Sequence, residues 1–227
     1  MITVTVSEAF EAAYPDAAIG ILAMRRVANP AHHAALDERK RALEAQIRTR
    51  FSGYDRAALK ALPILQAYNA YYKRFKKSYH VQLQLESIVL KGKSIPSVAA
   101  LVETMFMAEM KNMLLTAGHD LSLVRMPVTA GVADGSERYT RLNGQEQILK
   151  AGDMMITDAQ GILSSVIYGP DRRTQINSDT DQVLFTVYAP PGIKEQAIVA
   201  HLQDIQAYVL LVAPQAETES LHVYGTG

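Results

Sequence analysis

The sequence changes character once along its length, near Leu121, and that change limits the fold more than any bulk figure does. Upstream of it, long stretches carry apolar residues at helical spacing; downstream, short apolar or alternating runs are cut by turn signals. Helices grouped early and strands grouped late specify an α+β domain, because a wound α/β sheet needs the two element types to alternate. The expectation is a layered arrangement: first-half helices packed on a mixed, mostly antiparallel sheet system from the second half, with a closing C-terminal helix.

In the helical half, Asn29-Pro30 reads as an N-cap followed by proline at the first helical position, and the run 31–51 has no interior Gly or Pro. Leu36, Leu43 and Ile47 make its apolar stripe, and Arg39, Lys40, Arg41, Arg48 and Arg50 its polar side. Asp55 or Pro63 opens a second helical stretch through Tyr68, Tyr71, Tyr72 and Phe75, and a third runs from His80 to Leu90 and stops at Gly92. Ser97 reads as the N-cap of a helix reaching Met113. The unbroken apolar run 17–24 fits a buried strand.

Later strands are expected over 124–129, 137–142, 154–157, 162–168 and 183–189, separated by turns at Asp134-Gly135, Asn143-Gly144, Gln160-Gly161 and Pro190-Pro191-Gly192. Helical composition returns over 194–212. Residues 1–213 then form one module, and 214–227 read as a polar, loosely held tail.

Charge refines the picture. The 227 residues hold 23 Lys and Arg against 23 Asp and Glu, but residues 25–94 hold 15 basic against 5 acidic side chains, leaving 8 against 18 elsewhere. A local balance of +10 set against −10 suggests a surface that faces a polyanion. With no Cys, disulfides, Cys-ligated zinc, iron–sulfur clusters and thiol nucleophiles are excluded. The amino terminus lacks a signal-peptide pattern and no apolar stretch approaches the about 20 residues of a membrane span, so a cytoplasmic protein with no membrane partner is expected.

The densest chemical feature is 68–80 (YNAYYKRFKKSYH). Cations neutralise phosphates and exposed Tyr rings stack on unpaired bases, so Tyr72, Lys73, Arg74, Lys76 and Lys77, with Lys91 and Lys93 downstream, are candidate RNA contacts. The competing reading turns the aromatic rings into the core and leaves the lysines merely solvated. Gly118-His119-Asp120 sets an imidazole beside a carboxylate in an expected loop, although an Asp there commonly bonds its own backbone two residues on. Asp171-Arg172-Arg173-Thr174 offers two guanidiniums and a hydroxyl that can grip phosphate, or an ordinary solvated connection. His119 and Asp171 are the catalytic candidates; His119, Asp120, Arg172, Arg173 and Thr174 the substrate-binding ones. Adjacent His32 and His33 diverge on a helix and make no metal pair, no phosphate-binding loop, dinucleotide fingerprint or nucleophile elbow occurs, and no cofactor is implied. The run Met105, Met107, Met110, Met113 reads as core filler.

Over residues 72–189 the order and spacing of several segments resemble a known module. These are 85–97 (LESIVLKGKSIPS), Gly118-His119-Asp120-Leu121, 142–149 (LNGQEQIL), 153–158 (DMMITD), Arg172-Arg173-Thr174 and 180–184 (TDQVL). Together they are similar to the tRNA-binding and editing module of the phenylalanyl-tRNA synthetase beta chain, and to free-standing proteins built from that module alone. The resemblance implies an α+β fold, a tRNA partner and a pocket for a wrongly attached amino acid. In the family that pocket uses a His three residues before the Asp of the turn and a Glu after a Gly-Gly pair, whereas this chain has Ala117 and Tyr168-Gly169-Pro170-Asp171. His119 and Asp171 are the nearest substitutes. Three functions stay open: an RNA-binding module contacting tRNA or its aminoacylated end; a hydrolase of mischarged aminoacyl-tRNA acting in trans, short of a complete ligase; and a small-molecule or protein-binding domain that has lost RNA.

Overall fold

Strand β2 (Ala18–Arg25), the apolar run near the amino terminus, is the spine of the molecule: six consecutive residues are buried on both faces, as a continuous apolar strand requires. The structure, a computed structural model, describes residues 2–225. β2 lies between β10 (Gln182–Ala189) and β11 (Glu217–Gly225), and β3 (Leu115–Asp120) completes an antiparallel sheet in the order β11-β2-β10-β3. A second sheet runs β1 (Val4–Val6), β4 (Val128–Val132), β7 (Met154–Asp158), β8 (Gly161–Ser165) and β9 (Gly169–Pro170), with β1 parallel to β4 and the other pairs antiparallel. A two-stranded hairpin, β5 (Arg138–Thr140) and β6 (Glu146–Ile148), sits apart over its own small cluster of Tyr139, Leu149 and Ile162.

The helices are α1 (Glu8–Ala13), α2 (Ala34–Arg50), α3 (Arg56–Lys60), α4 (Pro63–Arg74), α5 (His80–Lys91), α6 (Ala100–Asn112) and α7 (Glu195–Val212). The α+β assignment stands: helices from the first half and closing α7 cover sheets built largely from the second half, around one continuous core. α7 crosses β2 at Gly20, where a Cβ would meet Ile198 Cγ2 at 2.5 Å and Leu202 Cδ1 at 3.2 Å, so the missing side chain sets the helix–sheet distance.

Several local expectations are met by their own chemistry. Asp55 accepts from the Ala58 N–H and starts α3, Pro63 occupies the first turn of α4, and Gly92 ends α5 at φ 65°. Others shift. Asn29 does cap a helix, but not its own: its Oδ1 accepts from Leu101 N–H (2.9 Å) at the start of α6, while α2 begins later, at Ala34. Glu103 accepts from Val98 N–H (2.8 Å), and Ser97, expected to cap α6, instead accepts from Lys40 Nζ (2.9 Å). Lys40, placed on the solvent side by periodicity, is 5% exposed and paired to Glu103 at 2.9 Å.

Two corrections concern whole elements. Gly118-His119-Asp120 is not a loop but the end of β3, paired through His119 to Leu184 and Asp120 to Val183. Residues 217–225, expected to hang loosely, pair with β2 along its length, and Glu217 meets Arg25 and Arg26 at 2.5 and 2.8 Å. Met1, Thr226 and Gly227, the ends of the expected module and tail, lie outside the described residues. No helix among the described residues is long and apolar enough to cross a membrane.

Candidate functional site

The aromatic half of the basic segment faces inward. Tyr68, Tyr71, Tyr72 and Tyr79 are each no more than 3% exposed. Their hydroxyls donate across the core: Tyr68 to Tyr188 O, Tyr71 to Asp153 Oδ1, Tyr72 to Val166 O and Tyr79 to Met113 O. Burial raises the pKa of all four phenols, so they remain neutral donors. Tyr72 is therefore no stacking platform for a base: its ring is enclosed between neighbours and its hydroxyl joins α4 to the loop after β8.

The cationic half faces out. Lys73, Arg74, Lys76 and Lys77 are exposed at the C-terminal end of α4 and in the turn beyond, where the helix dipole favours positive charge. Lys150, which the sequence reading did not single out, joins them from the loop after β6, within 3.4 Å of Phe75 O. Arg74, Lys76 and Lys150 line one shallow cleft of about 330 Å³. Among the described residues none of these five cations forms an ion pair. Lys91 and Lys93 are exposed too, but at the far end of α5, one helix of about 18 Å away at 1.5 Å per residue. The +10 segment thus divides into two groups, and five of its cations (Arg25, Arg26, Lys40, Arg48, Arg56) are ion-paired elsewhere.

His119 and Asp171 do come together, 3.8 Å apart, but in the interior. Thr174 stands between them, donating to Asp171 and bonded to His119 Nδ1 at 2.8 Å. His119 Nε2 meets Ser164 Oγ at 3.2 Å, and Ser164 Oγ meets the Tyr188 hydroxyl at 2.6 Å. His119 is fully buried and burial lowers its pKa to about 3, so the ring is neutral. With both nitrogens bonded and the ring fully buried, this chain of hydrogen bonds ties β3 to β8 and the loop after β9. Asp120 points to the other face of β3, accepting from Thr180 Oγ1 (2.7 Å) and from Ser122 N–H two residues on (3.0 Å).

The Asp171–Thr174 loop separates its two arginines. Arg173 turns in, its Nη1 and Nη2 bonding Asp158 at 3.0 and 2.9 Å and Nη1 also meeting Leu123 O at 3.0 Å. Arg172 stays exposed beside the hairpin turn at Gly144. Of the five substrate-binding candidates only Arg172 is thus exposed.

A partly open cavity of about 400 Å³ lies elsewhere, between α6, β3, the loop after β8 and the β5–β6 hairpin. Such a volume suits a small molecule or one terminal group of a larger one. Val102, Met105, Phe106, Ile167 and Ile176 make its walls apolar, and His80, Arg141 and the exposed Leu142 stand at the side open to solvent. Met105 therefore lines a ligand-sized space rather than filling core, and Gly118 widens it, since a Cβ there would meet Ile176 Cδ1 at 2.8 Å. Ala117 and Tyr168-Gly169-Pro170, where this sequence departs from the synthetase pattern, also line it.

A carboxyl side chain is buried in that wall. Glu109 of α6 is 2% exposed; Oε1 accepts from Thr116 N–H at 2.8 Å, and burial raises its pKa to about 8. Sequence reasoning passed it over because a single Glu inside a methionine-rich helix carries no motif. Among the described residues no group of three His, Asp or Glu is placed to hold a metal ion.

No protein-family model matches the chain, and no curated protein matches it in sequence. Among solved structures, it is similar to an N-terminal fragment of the phenylalanyl-tRNA synthetase beta subunit from Pyrococcus horikoshii, with a TM-score of 0.50 and 12% identity. The match covers 96% of this chain and 50% of the other, so the chain spans about half the length of that fragment. The likeness is one of fold.

Proposed function

We propose that this chain is an RNA-binding module, acting on tRNA in the cytoplasm, which grips phosphates with Lys73, Arg74, Lys76, Lys77 and Lys150 and receives a small terminal group in the apolar cavity. The observation that carries the reading is the set of exposed cations without ion-pair partners among the described residues, gathered where α4 ends beside the loop after β6. Free cations displace condensed counterions from a polyanion, whereas cations already paired, such as Arg25 and Arg26, gain little. The fold's likeness to a tRNA synthetase fragment supports the choice of RNA over other polyanions. Lys91 and Lys93 extend the contact along α5, about 18 Å away, a span that a few nucleotides bridge.

The test is fluorescence anisotropy with unfractionated tRNA across a salt series. Changing Lys73, Arg74, Lys76 and Lys77 together to Ala reduces the slope of log affinity against log salt by about 3. Unchanged affinity and slope would remove the reading.

A second reading is supported by the cavity itself: hydrolysis of an ester-linked group on tRNA. The residues for it are those that line the cavity, not His119 or Asp171, which are enclosed elsewhere. Deacylation of mischarged tRNAs no faster than in buffer would dismiss it while leaving binding intact.

A further inference from the structure

A carboxylate buried on α5 sets the polarity of a small cleft between α3, α4 and α5. Glu86 is 3% exposed; Oε1 accepts from Gln82 Nε2 at 2.7 Å, and Oε2 lies 2.9 Å from Arg56 Nε. A carboxylate only accepts, so Gln82 must turn its amide nitrogen to Glu86 and its oxygen to Asn69, whose Nδ2 lies 2.6 Å away. This relay takes up the acceptors of Glu86 and Gln82 and leaves Asn69 with a second N–H to give. The cleft, about 260 Å³, is lined by these three side chains and by Arg56, Lys60 and Ser78, so what it offers a ligand is chiefly donors.

Two of those donors are cations. Arg56 and Lys60 stand four residues apart on α3 and share one face, an arrangement of like charges that disfavours the helix and that an anion between them relieves. The Arg56 side chain is 61% exposed, so its pair with Glu86 anchors the guanidinium without covering it. A fork held from behind by a buried carboxylate loses little freedom on binding, and its geometry matches a phosphate. Lys60 is exposed and forms no ion pair among the described residues. Asp55, next to Arg56 in the chain, does not line the cleft and accepts from Ala58 N–H at 2.7 Å.

We propose that this cleft binds a phosphate group, with Arg56 and Lys60 as its charged contacts, Ser78 and Asn69 as neutral donors, and Glu86 as the residue that positions Arg56. The site shares no residue with the cations or the apolar cavity of the proposed RNA module. The phosphate has two sources, the backbone of an RNA that continues past Lys77 or a small phosphoester, and the test separates them.

Methyl phosphate is titrated into the full chain and followed by amide chemical shifts, and tRNA binding is followed by anisotropy across a salt series. The expected result is one saturable set of shifts at residues 56–60, 78 and 82–86, with a dissociation constant of about 1–10 mM. Arg56→Lys, which keeps a charge opposite Glu86 but loses the fork, weakens binding about 10-fold, and the exposed change Lys60→Gln about 3-fold. Glu86→Gln, which by charge alone tightens anion binding, weakens it about 3-fold because the guanidinium loses its anchor; tighter binding would remove the positioning role. Lys60→Gln lowers the tRNA salt slope by about 1 when the RNA backbone is the source and leaves it unaltered when a small phosphoester is; either outcome satisfies the inference. Shifts that do not saturate, that gather at residues 73–77 instead, or that persist undiminished in Arg56→Lys and Lys60→Gln overturn it. Absence of tRNA binding with the methyl phosphate site intact removes the RNA reading alone.

Discussion

Arg173 separates a binding role from a structural one, and Arg173→Met is the perturbation that does it. The guanidinium holds Asp158 in bidentate fashion at 2.9 and 3.0 Å, and the Asp158 side chain is 0% exposed. Removing one partner of a buried pair costs about 3–5 kcal/mol, because the other charge is left in a poor solvent. Two features reduce that here. Asp158 keeps three backbone donors, from Arg125, Gln160 and Gly161, and the Arg173 side chain is 32% exposed. The expected loss is therefore about 2–3 kcal/mol, or about 4–12 °C in melting temperature for a chain of this size. Urea denaturation followed by circular dichroism measures it. The loss has a pH signature. Burial tends to raise the Asp158 pKa, but the backbone N–H of Arg125 and the Arg173 side chain hold it below its ordinary value. The contribution is thus complete above the unfolded carboxyl pKa of about 4 and disappears as pH falls through the lower folded value. In the double variant Arg173→Met/Asp158→Asn no charge is left buried, and part of the stability returns. tRNA affinity stays within about twofold throughout, since this guanidinium faces inward. An Arg173→Met protein of unaltered stability with weakened RNA binding would refute the reasoning and return Arg173 to the ligand.

Three further outcomes follow from other parts of the molecule. Lys40→Met leaves Glu103 buried without its cation and lowers stability by about 3–5 kcal/mol in the same denaturation assay, whereas Lys40→Met/Glu103→Leu recovers much of it; a neutral single change would contradict the buried pair. Gly20→Ala forces a methyl group against Ile198 and Leu202 and destabilises by about 1–3 kcal/mol, measured by its urea midpoint; a stabilised variant would mean that α7 does not pack there. His119 is held neutral in the fold at a pKa of about 3, so below about 6.5 the unfolded chain takes up a proton that the folded one does not, and stability falls with falling pH. His119→Gln removes about 1.4 kcal/mol per pH unit from that slope between about pH 4 and 6; an unaltered slope would show that the imidazole is charged in the fold.

Particular residues show how far the sequence could be read. The apolar run 17–24 became β2, Asp55 and Gly92 punctuated helices as their side chain and missing side chain require, and Asn143-Gly144 turned the β5–β6 hairpin. Each of these is decided within a few residues. Leu115–Asp120 was missed as a strand because Thr, Gly, His and Asp carry a turn signal, and only pairing with β10 and burial against β8 and the loop after β9 overrides it. Lys40 sat at a polar position by periodicity, yet Glu103 and Ser97, about 60 positions away in the chain, give its charge a buried partner.

The candidate site divides in the same way. The sequence by itself determined the class of fold, the absence of thiol chemistry and the presence of a cation-rich segment, since these depend on composition and local spacing. It could not determine which way the tyrosines of that segment turn, because alternating Tyr and Lys fits a stacking surface and a helix with one buried face equally well. Tertiary structure decided that the rings go in and the lysines out, through hydroxyl bonds to distant carbonyls on β10 and in the loop after β8. It also enclosed His119, assigned Arg173 to Asp158 and left Glu109 at the wall of a cavity. Burial is a property of the packed assembly and not of any segment, and it is burial that turned His119 from a catalytic candidate into a structural tie.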